Sequence, residues 1–207
     1  MIVDPSGNNY PDIYKLMTGA IVPRPIAFVS TVSADGVFNL APFSFFTGIS
    51  ANPPVICFCP MIRADGTRKD TLRNIEEARE FVVNIVSEEI AERMNLCAPE
   101  YPPEVDEFQI SGLTPVPSDL VRAPRVGESR VNMECRLLQI VDVSTRPMGG
   151  SLVLGEILRF HVDDALFDNY KIDPGKLRPI GRMGGPAYTR TTDRFDMTRP
   201  SVPVNKT

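Results

Sequence analysis

Near the start of the chain the residues read with the period of two of a strand. Ile26, Phe28, Ser30 and Val32 interleave with Ala27, Val29, Thr31 and Ser33, and Ala34-Asp35-Gly36 supplies a tight turn, so the pattern predicts a hairpin. Residues 55–60 and 80–86 read as a third and a fourth strand. Residues 131–143 and 152–162 are the two longest β-type runs, joined by Thr145-Arg-Pro-Met-Gly-Gly150. Helical spacing replaces alternation over 71–79 and again from Ser87 to near Cys97, where Ser87 is a candidate N-cap and Glu88 and Glu89 complement the helix dipole. Residues 99–127 are proline-rich with few periodic apolar positions, which predicts a surface excursion rather than a domain boundary. Antiparallel strands separated by short turns argue for a closed or sandwiched sheet, an arrangement that hides strand edges.

Composition narrows the class. A chain of 207 residues is long enough to bury one core, and it reads as a single domain, 1–207, with a C-terminal tail from about residue 165. The net charge of −4 argues against a nucleic-acid surface. No apolar run approaches the roughly 20 residues needed to span a bilayer, and Met1-Ile-Val-Asp-Pro has neither the basic start nor the apolar centre of a signal peptide, so a soluble cytoplasmic protein without membrane contact is expected. Cys57 and Cys59 lie two apart and point to one face of a strand, where they read as buried thiols; with Cys97, Cys135 and a single histidine they offer no zinc spacing, and no protein-bound metal is expected.

Candidate chemistry concentrates between residues 36 and 71. Gly36-Val-Phe-Asn-Leu-Ala-Pro-Phe-Ser-Phe-Phe sets proline and small residues inside an apolar strand, which weakens sheet pairing and leaves backbone groups for a ligand. Arg63, Lys69, Asp70 and Thr71 then place cations and a hydroxyl at a helix start, where unpaired amides and the dipole favour a phosphate. Asp70-Thr71 reads equally as an ordinary N-cap. Together these parts form a cradle for a flat, phosphate-bearing cofactor. No Gly-x-Gly-x-x-Gly turn of a nicotinamide-binding Rossmann unit is present, so a nicotinamide would be held transiently on the cofactor's face.

The order of these segments resembles the flavin reductase-like family of FMN-binding split barrels. The resemblance runs from Pro23-Arg24-Pro25-Ile26-Ala27-Phe28-Val29-Ser30-Thr31 through Gly36, Asn39-Leu-Ala-Pro-Phe-Ser44, Pro53-Pro54, Lys69-Asp70-Thr71 and Phe81-Val-Val-Asn84 to Gly155-Glu156, His161, Arg178-Pro-Ile-Gly-Arg182-Met-Gly-Gly185 and Tyr188. It implies a mainly β fold, a six-stranded antiparallel Greek-key split barrel with a few inserted helices, assembled as a homodimer with FMN near the subunit interface. On this resemblance FMN is the cofactor and NADH or NADPH a transient co-substrate, with electrons passing to free flavin, a partner monooxygenase or ferric iron. The cofactor set it implies is Arg24, Ser30, Thr31, Asn39, Ala41, Ser44, Phe45, Phe46, Arg63, Lys69, Asp70, Thr71, Arg182 and Tyr188. Asn39 and Ser44 are expected to hydrogen-bond the ring system, Ala41 and the amides of Phe45 and Phe46 to line its edge, Arg182 to face phosphate or flavin and Tyr188 to wall the ring. His161 is expected to place the nicotinamide, since hydride transfer itself requires no acid or base. A flavin-binding split-barrel module without nicotinamide turnover is the alternative, and the Gly-rich segment 181–188 reads equally as a flexible linker.

Overall fold

The computed structural model describes residues 1–7 and 9–200; the last segment considered for contact with a partner subunit, 201–207, lies outside the described residues. Helix α1 (Tyr10–Ala20) precedes strands β1 (Ala27–Val32), β2 (Phe38–Phe43), β3 (Phe46–Ala51) and β4 (Pro54–Phe58). Helix α2 (Asp70–Ala78) leads into β5 (Glu80–Ile85). After one 3-10 turn come α3 (Ala91–Leu96), α4 (Glu107–Ser111) and the short ribbon β6 (Pro115–Val116) and β7 (Arg125–Val126). The long strands β8 (Val131–Asp142) and β9 (Ser151–Val162) follow. A second ribbon, β10 (Phe167–Asp168) and β11 (Lys171–Ile172), then helix α5 (Pro174–Leu177) and the hairpin β12 (Ile180–Arg182) and β13 (Tyr188–Arg190) complete the order.

Seven strands form one antiparallel sheet in the order β2-β1-β5-β8-β9-β4-β3. Its edge strands, β2 and β3, are separated in sequence only by Ser44 and Phe45, so the sheet curls until its ends meet at that corner. This is the split barrel. The sequence pattern accounts for six of the seven strands; β3 is the addition, because it is largely exposed along its length and has no buried face to mark it. Helix α1 has no counterpart in the sequence pattern either: Tyr14, Leu16 and Met17 are exposed, and Thr18 is its one buried residue.

Strand β1 is buried along all six positions because both of its faces are covered. Ala27 and Val29 join Phe58, Phe81, Val83, Cys135 and Val153 in one cluster, into which α2 inserts Leu72 and Ile75. Phe58 meets Phe81 edge-on at 5.4 Å and Phe43 at 5.2 Å. Phe28 and Leu40 belong to a second cluster with Ile90, Met94, Phe108 and Val126. Residues 99–127 are therefore more than a surface excursion, since Phe108, Leu113, Ala123 and Val126 are buried. Sparse periodicity hid this, because the buried residues are scattered over α4, β7 and the connections beside them. Ser87 does precede a helical turn, but its hydroxyl is buried without a partner and makes no capping bond.

One buried carboxylate pins the excursion to the barrel. Glu134 of β8 accepts the backbone N–H of Asp119 at 2.9 Å and of Leu120 at 2.6 Å, and lies 2.5 Å from His161 Nε2. Burial acts to raise this carboxyl, but the Asp119 N–H, the His161 imidazole and the Leu120 N–H outweigh it and hold the group below its ordinary 4.5. A carboxyl depressed on folding contributes stability above its unfolded pKa and loses it as pH falls through the native value. Glu134→Gln should thus be less stable than the parent at neutral pH, with the gap narrowing between about pH 5 and pH 3 in urea melts. A gap independent of pH would assign the loss to packing rather than charge. Gly155→Ala tests the core: a Cβ there would run into the buried Phe81 ring. Overpacking of this kind costs about 1–3 kcal/mol, to be read as a lower urea midpoint at constant slope.

Candidate functional site

The corner that closes the barrel also opens a cavity. Helix α2 starts beside it, with Lys69 as N-cap residue and Asp70 and Thr71 in the first turn. Strand β2 supplies Asn39, Ala41 and Phe43, the corner supplies Ser44 and Phe45, and the segment 97–101 together with Glu107 of α4 forms the remaining side with Tyr14 of α1. These residues enclose about 190 Å³. A second space of about 260 Å³ shares Tyr14, Pro42, Phe43 and Ser44 with the first and extends to Arg24, Arg182 and Tyr188. The two form one continuous lining along the corner.

Charges at the α2 end are arranged in pairs. Arg63 Nη2 reaches Asp70 Oδ2 at 2.5 Å and Nη1 donates to the Arg68 carbonyl at 3.0 Å, while Arg73 holds the other oxygen of Asp70. Lys69 Nζ lies 2.9 Å from Glu100 Oε1. Arg63 Nε is buried without a hydrogen-bond partner and lies 3.9 Å from Glu100 Oε2. An orphaned guanidinium N–H beside a lysine suits a phosphate. The amides of Leu72 and Arg73 are bonded to the Lys69 carbonyl, so the donors this end can offer are the side-chain cations and the amides ahead of Leu72.

Beneath the cations lies a buried polar knot. Asn39 Nδ2 donates to both oxygens of Glu107 at 3.0 and 3.1 Å, and Glu107 also accepts the Leu40 N–H at 2.9 Å. Asn39 Oδ1 in turn accepts from Thr71 Oγ1 at 2.7 Å and Thr31 Oγ1 at 3.3 Å, and Asn74 donates to Thr31 at 3.0 Å. Burial pushes the Glu107 carboxyl up, against the opposing effect of these donors.

The expected cofactor residues divide by position. Asn39, Ala41, Ser44, Phe45, Arg63, Lys69, Asp70 and Thr71 line the first cavity, and Arg24, Ser44, Arg182 and Tyr188 the second. Ser30 and Thr31 are fully buried; Ser30 donates to the Pro124 carbonyl at 2.5 Å, and Thr31 acts through Asn39. Phe46 packs against the barrel core. Arg24 is a buried clasp whose guanidinium donates to the carbonyls of Thr18 (2.7 Å), Ile21 (2.9 Å) and Met183 (3.1 Å) and to Ser44 Oγ (3.2 Å). Arg182 stacks over the Tyr188 ring at 4.5 Å.

His161 stands apart from these residues. The register runs Pro42, Phe28, Asn84, Asn132, His161 across five strands, four steps of roughly 4.8 Å, which puts it about 19 Å around the wall from β2. It lines a different groove with Arg125, Arg130 and Phe160. Within one protomer it therefore does not reach the cavity at the corner. Asp119, Glu134 and His161 place potential metal-ligating atoms within 4.8 Å of one another, but Glu134 is bonded by His161 and two amides, and Asp119 by Arg159.

Sequence reasoning did not identify Tyr14, Cys59, Met61, Glu100, Tyr101 or Glu107 as lining residues. Glu107 carried one local signal, Asp106-Glu-Phe, in which Asp106 caps α4 by accepting the Phe108 N–H at 2.9 Å.

Comparison with known proteins identifies the family of the fold. Residues 18–181 match the model of the flavin reductase like domain. An uncharacterised protein of Aquifex aeolicus is 46% identical over 179 residues, 86% of this chain and 89% of that one. Nitrilotriacetate monooxygenase component B from Bacillus cereus superposes with a TM-score of 0.91 at 37% identity, covering 95% of this chain and 98% of that one. The 2-nitrobenzoate 2-nitroreductase of Pseudomonas fluorescens superposes with a TM-score of 0.88 at 36% identity over 99% and 100% of the two chains. With the domain match spanning most of its length, the chain belongs to the flavin reductase-like family.

Proposed function

We propose that this protein binds FMN at the barrel corner and uses it to carry electrons from NADH or NADPH to an acceptor. The observation that carries this reading is the continuous lining from the Lys69 and Arg63 end, past Asn39 and Ala41, to Ser44 and Phe45. Lys69 and the unpartnered Nε of Arg63 would hold the phosphate, and the β2 corner would meet the ring edge. The flavin, when bound, supplies the hydride and electron chemistry; orientation and charge are the protein's part. Ser44, held by Arg24, gives the ring edge a fixed hydroxyl. The adjoining space beside Arg182 and Tyr188 is where a nicotinamide nucleotide would approach.

The resemblance to a monooxygenase component B favours a partner monooxygenase as the electron acceptor. A second reading, a nitroaromatic acceptor, is favoured by an annex of about 260 Å³ lined by Met17, Phe45, Met61, Val143 and Met148 next to the cavity, and by the resemblance to a 2-nitrobenzoate 2-nitroreductase. Anaerobically reduced protein that is reoxidised by 2-nitrobenzoate would select it.

His161 enters this reading only across a dimer interface. Exposed Leu138 and Val141 on β8 and Leu158 and Phe160 on β9 support a second subunit packing there.

Purified protein titrated with FMN should quench its fluorescence, show oxidised-flavin absorbance and bleach when NADH or NADPH is added without oxygen. Flavin bands that do not bleach would favour a binding module, and absence of flavin affinity would end both readings. Light scattering is expected to report twice the 22.9 kDa chain mass, whereas a flavin-loaded monomer would contradict the dimer. In that dimer His161→Ala should slow anaerobic flavin reduction by up to about 10²-fold, the effect of misplacing reacting atoms, with FMN affinity unchanged. Loss of both together would put His161 in the flavin pocket itself.

A further inference from the structure

We infer that Glu100 is a displaceable counter-anion at the phosphate end of the cavity, so that FMN enters by exchanging its phosphate for a carboxylate. The inference rests on the reading that Lys69 and Arg63 receive that phosphate. Glu100 belongs to the segment between α3 and α4, with 52% of its side chain exposed. Its Oε1 lies 2.9 Å from Lys69 Nζ, and its Oε2 lies 3.9 Å from Arg63 Nε, too far to satisfy that buried donor. One half-exposed side chain thus covers the two cations assigned to the ligand, and it covers one of them incompletely.

The other two carboxylates of the lining are not free to leave. Asp70 is 12% exposed and held by Arg63 and Arg73. Glu107 is buried under Asn39 and the Leu40 amide. Glu100 can turn into water at little cost, because half of it is already there and an ion pair of this exposure is weak. A phosphate monoester brings more charge and three acceptor oxygens, enough to take Lys69 and to complete Arg63 Nε. Pro99, Pro102 and Pro103 stiffen the flanking backbone, so the exchange falls to the Glu100 side chain. The consequence is a standing reduction of FMN affinity that does not apply to riboflavin, which lacks the phosphate. Glu100 thereby keeps the flavin exchangeable.

Fluorescence titration of Glu100→Gln and the parent with FMN and with riboflavin tests this. FMN should bind about two- to fivefold more tightly to the variant, the range for relieving a half-exposed ion pair, while riboflavin binds both proteins equally. Unchanged or weaker FMN binding, or an equal gain for both flavins, would overturn the inference. Lys69→Ala separates the two levels of the argument. If it weakens FMN about tenfold and spares riboflavin, the phosphate assignment stands whatever Glu100→Gln does. If it changes both flavins alike, the phosphate assignment falls and the role of Glu100 falls with it.

Discussion

A single neutral amide ties four parts of the chain together. Asn39 sits in β2, donates to Glu107 of α4, and accepts from Thr31 of β1 and Thr71 of α2. Its orientation is determined by this arrangement, because the acceptor-only carboxylate takes Nδ2 and the two hydroxyls must then share Oδ1. The start of α2, and with it Lys69, is thereby registered against the barrel wall. Buried networks of this kind are costly when partly satisfied and specific when complete. The position of the cavity floor depends on this one being complete.

The charge pattern above that floor has a matching logic. The cations at this end are each given an acidic neighbour, with Asp70 against Arg63 and Arg73, and Glu100 against Lys69. Such pairing limits repulsion among the cations, but the pairs differ in how easily they part, because Asp70 is nearly buried and Glu100 half exposed. Screening by water makes the outer pair weak and the inner one persistent. How readily each cation can change partners is therefore set by exposure as much as by the count of charges.

Arg24 performs a related task for the neighbouring space. By collecting the carbonyls of Thr18 and Ile21 at the end of α1 and that of Met183 in the β12 to β13 turn, it draws α1 and this hairpin onto the corner. The guanidinium also lies 5.9 Å from the Phe45 ring centroid. The clasp acts together with the Arg24–Arg182 backbone pair, the Tyr14–Phe45 ring contact and the Tyr188–Asn95 bond in holding this side of the corner beside Ser44.

Runs of β-type residues were enough to mark β1, β5 and the long hairpin of β8 and β9, since a strand buried on both faces is apolar along most of its length and one buried on a single face alternates. The collinear motifs around Asn39, Lys69 to Thr71 and Arg182 likewise marked the family and most of the corner lining. What local pattern could not carry was β3, whose exposed edge has no alternation, and α1, whose single buried residue leaves no apolar stripe. Nor could it separate Arg24, a clasp, from a ligand contact, or show that Ser30 spends its hydroxyl on Pro124, because both depend on carbonyls distant in sequence. Glu100 and Glu107 looked like surface charges of a proline-rich segment until folding set them against Lys69 and Asn39. His161 was legible as a strand-end histidine, and the register across five strands decided how far it stands from the corner. The sequence by itself determined the strands and the chemistry available along them; the closing of the sheet on Ser44 and Phe45 decided which of those groups meet, because proximity across a barrel is set by strand order and register and not by spacing along the chain.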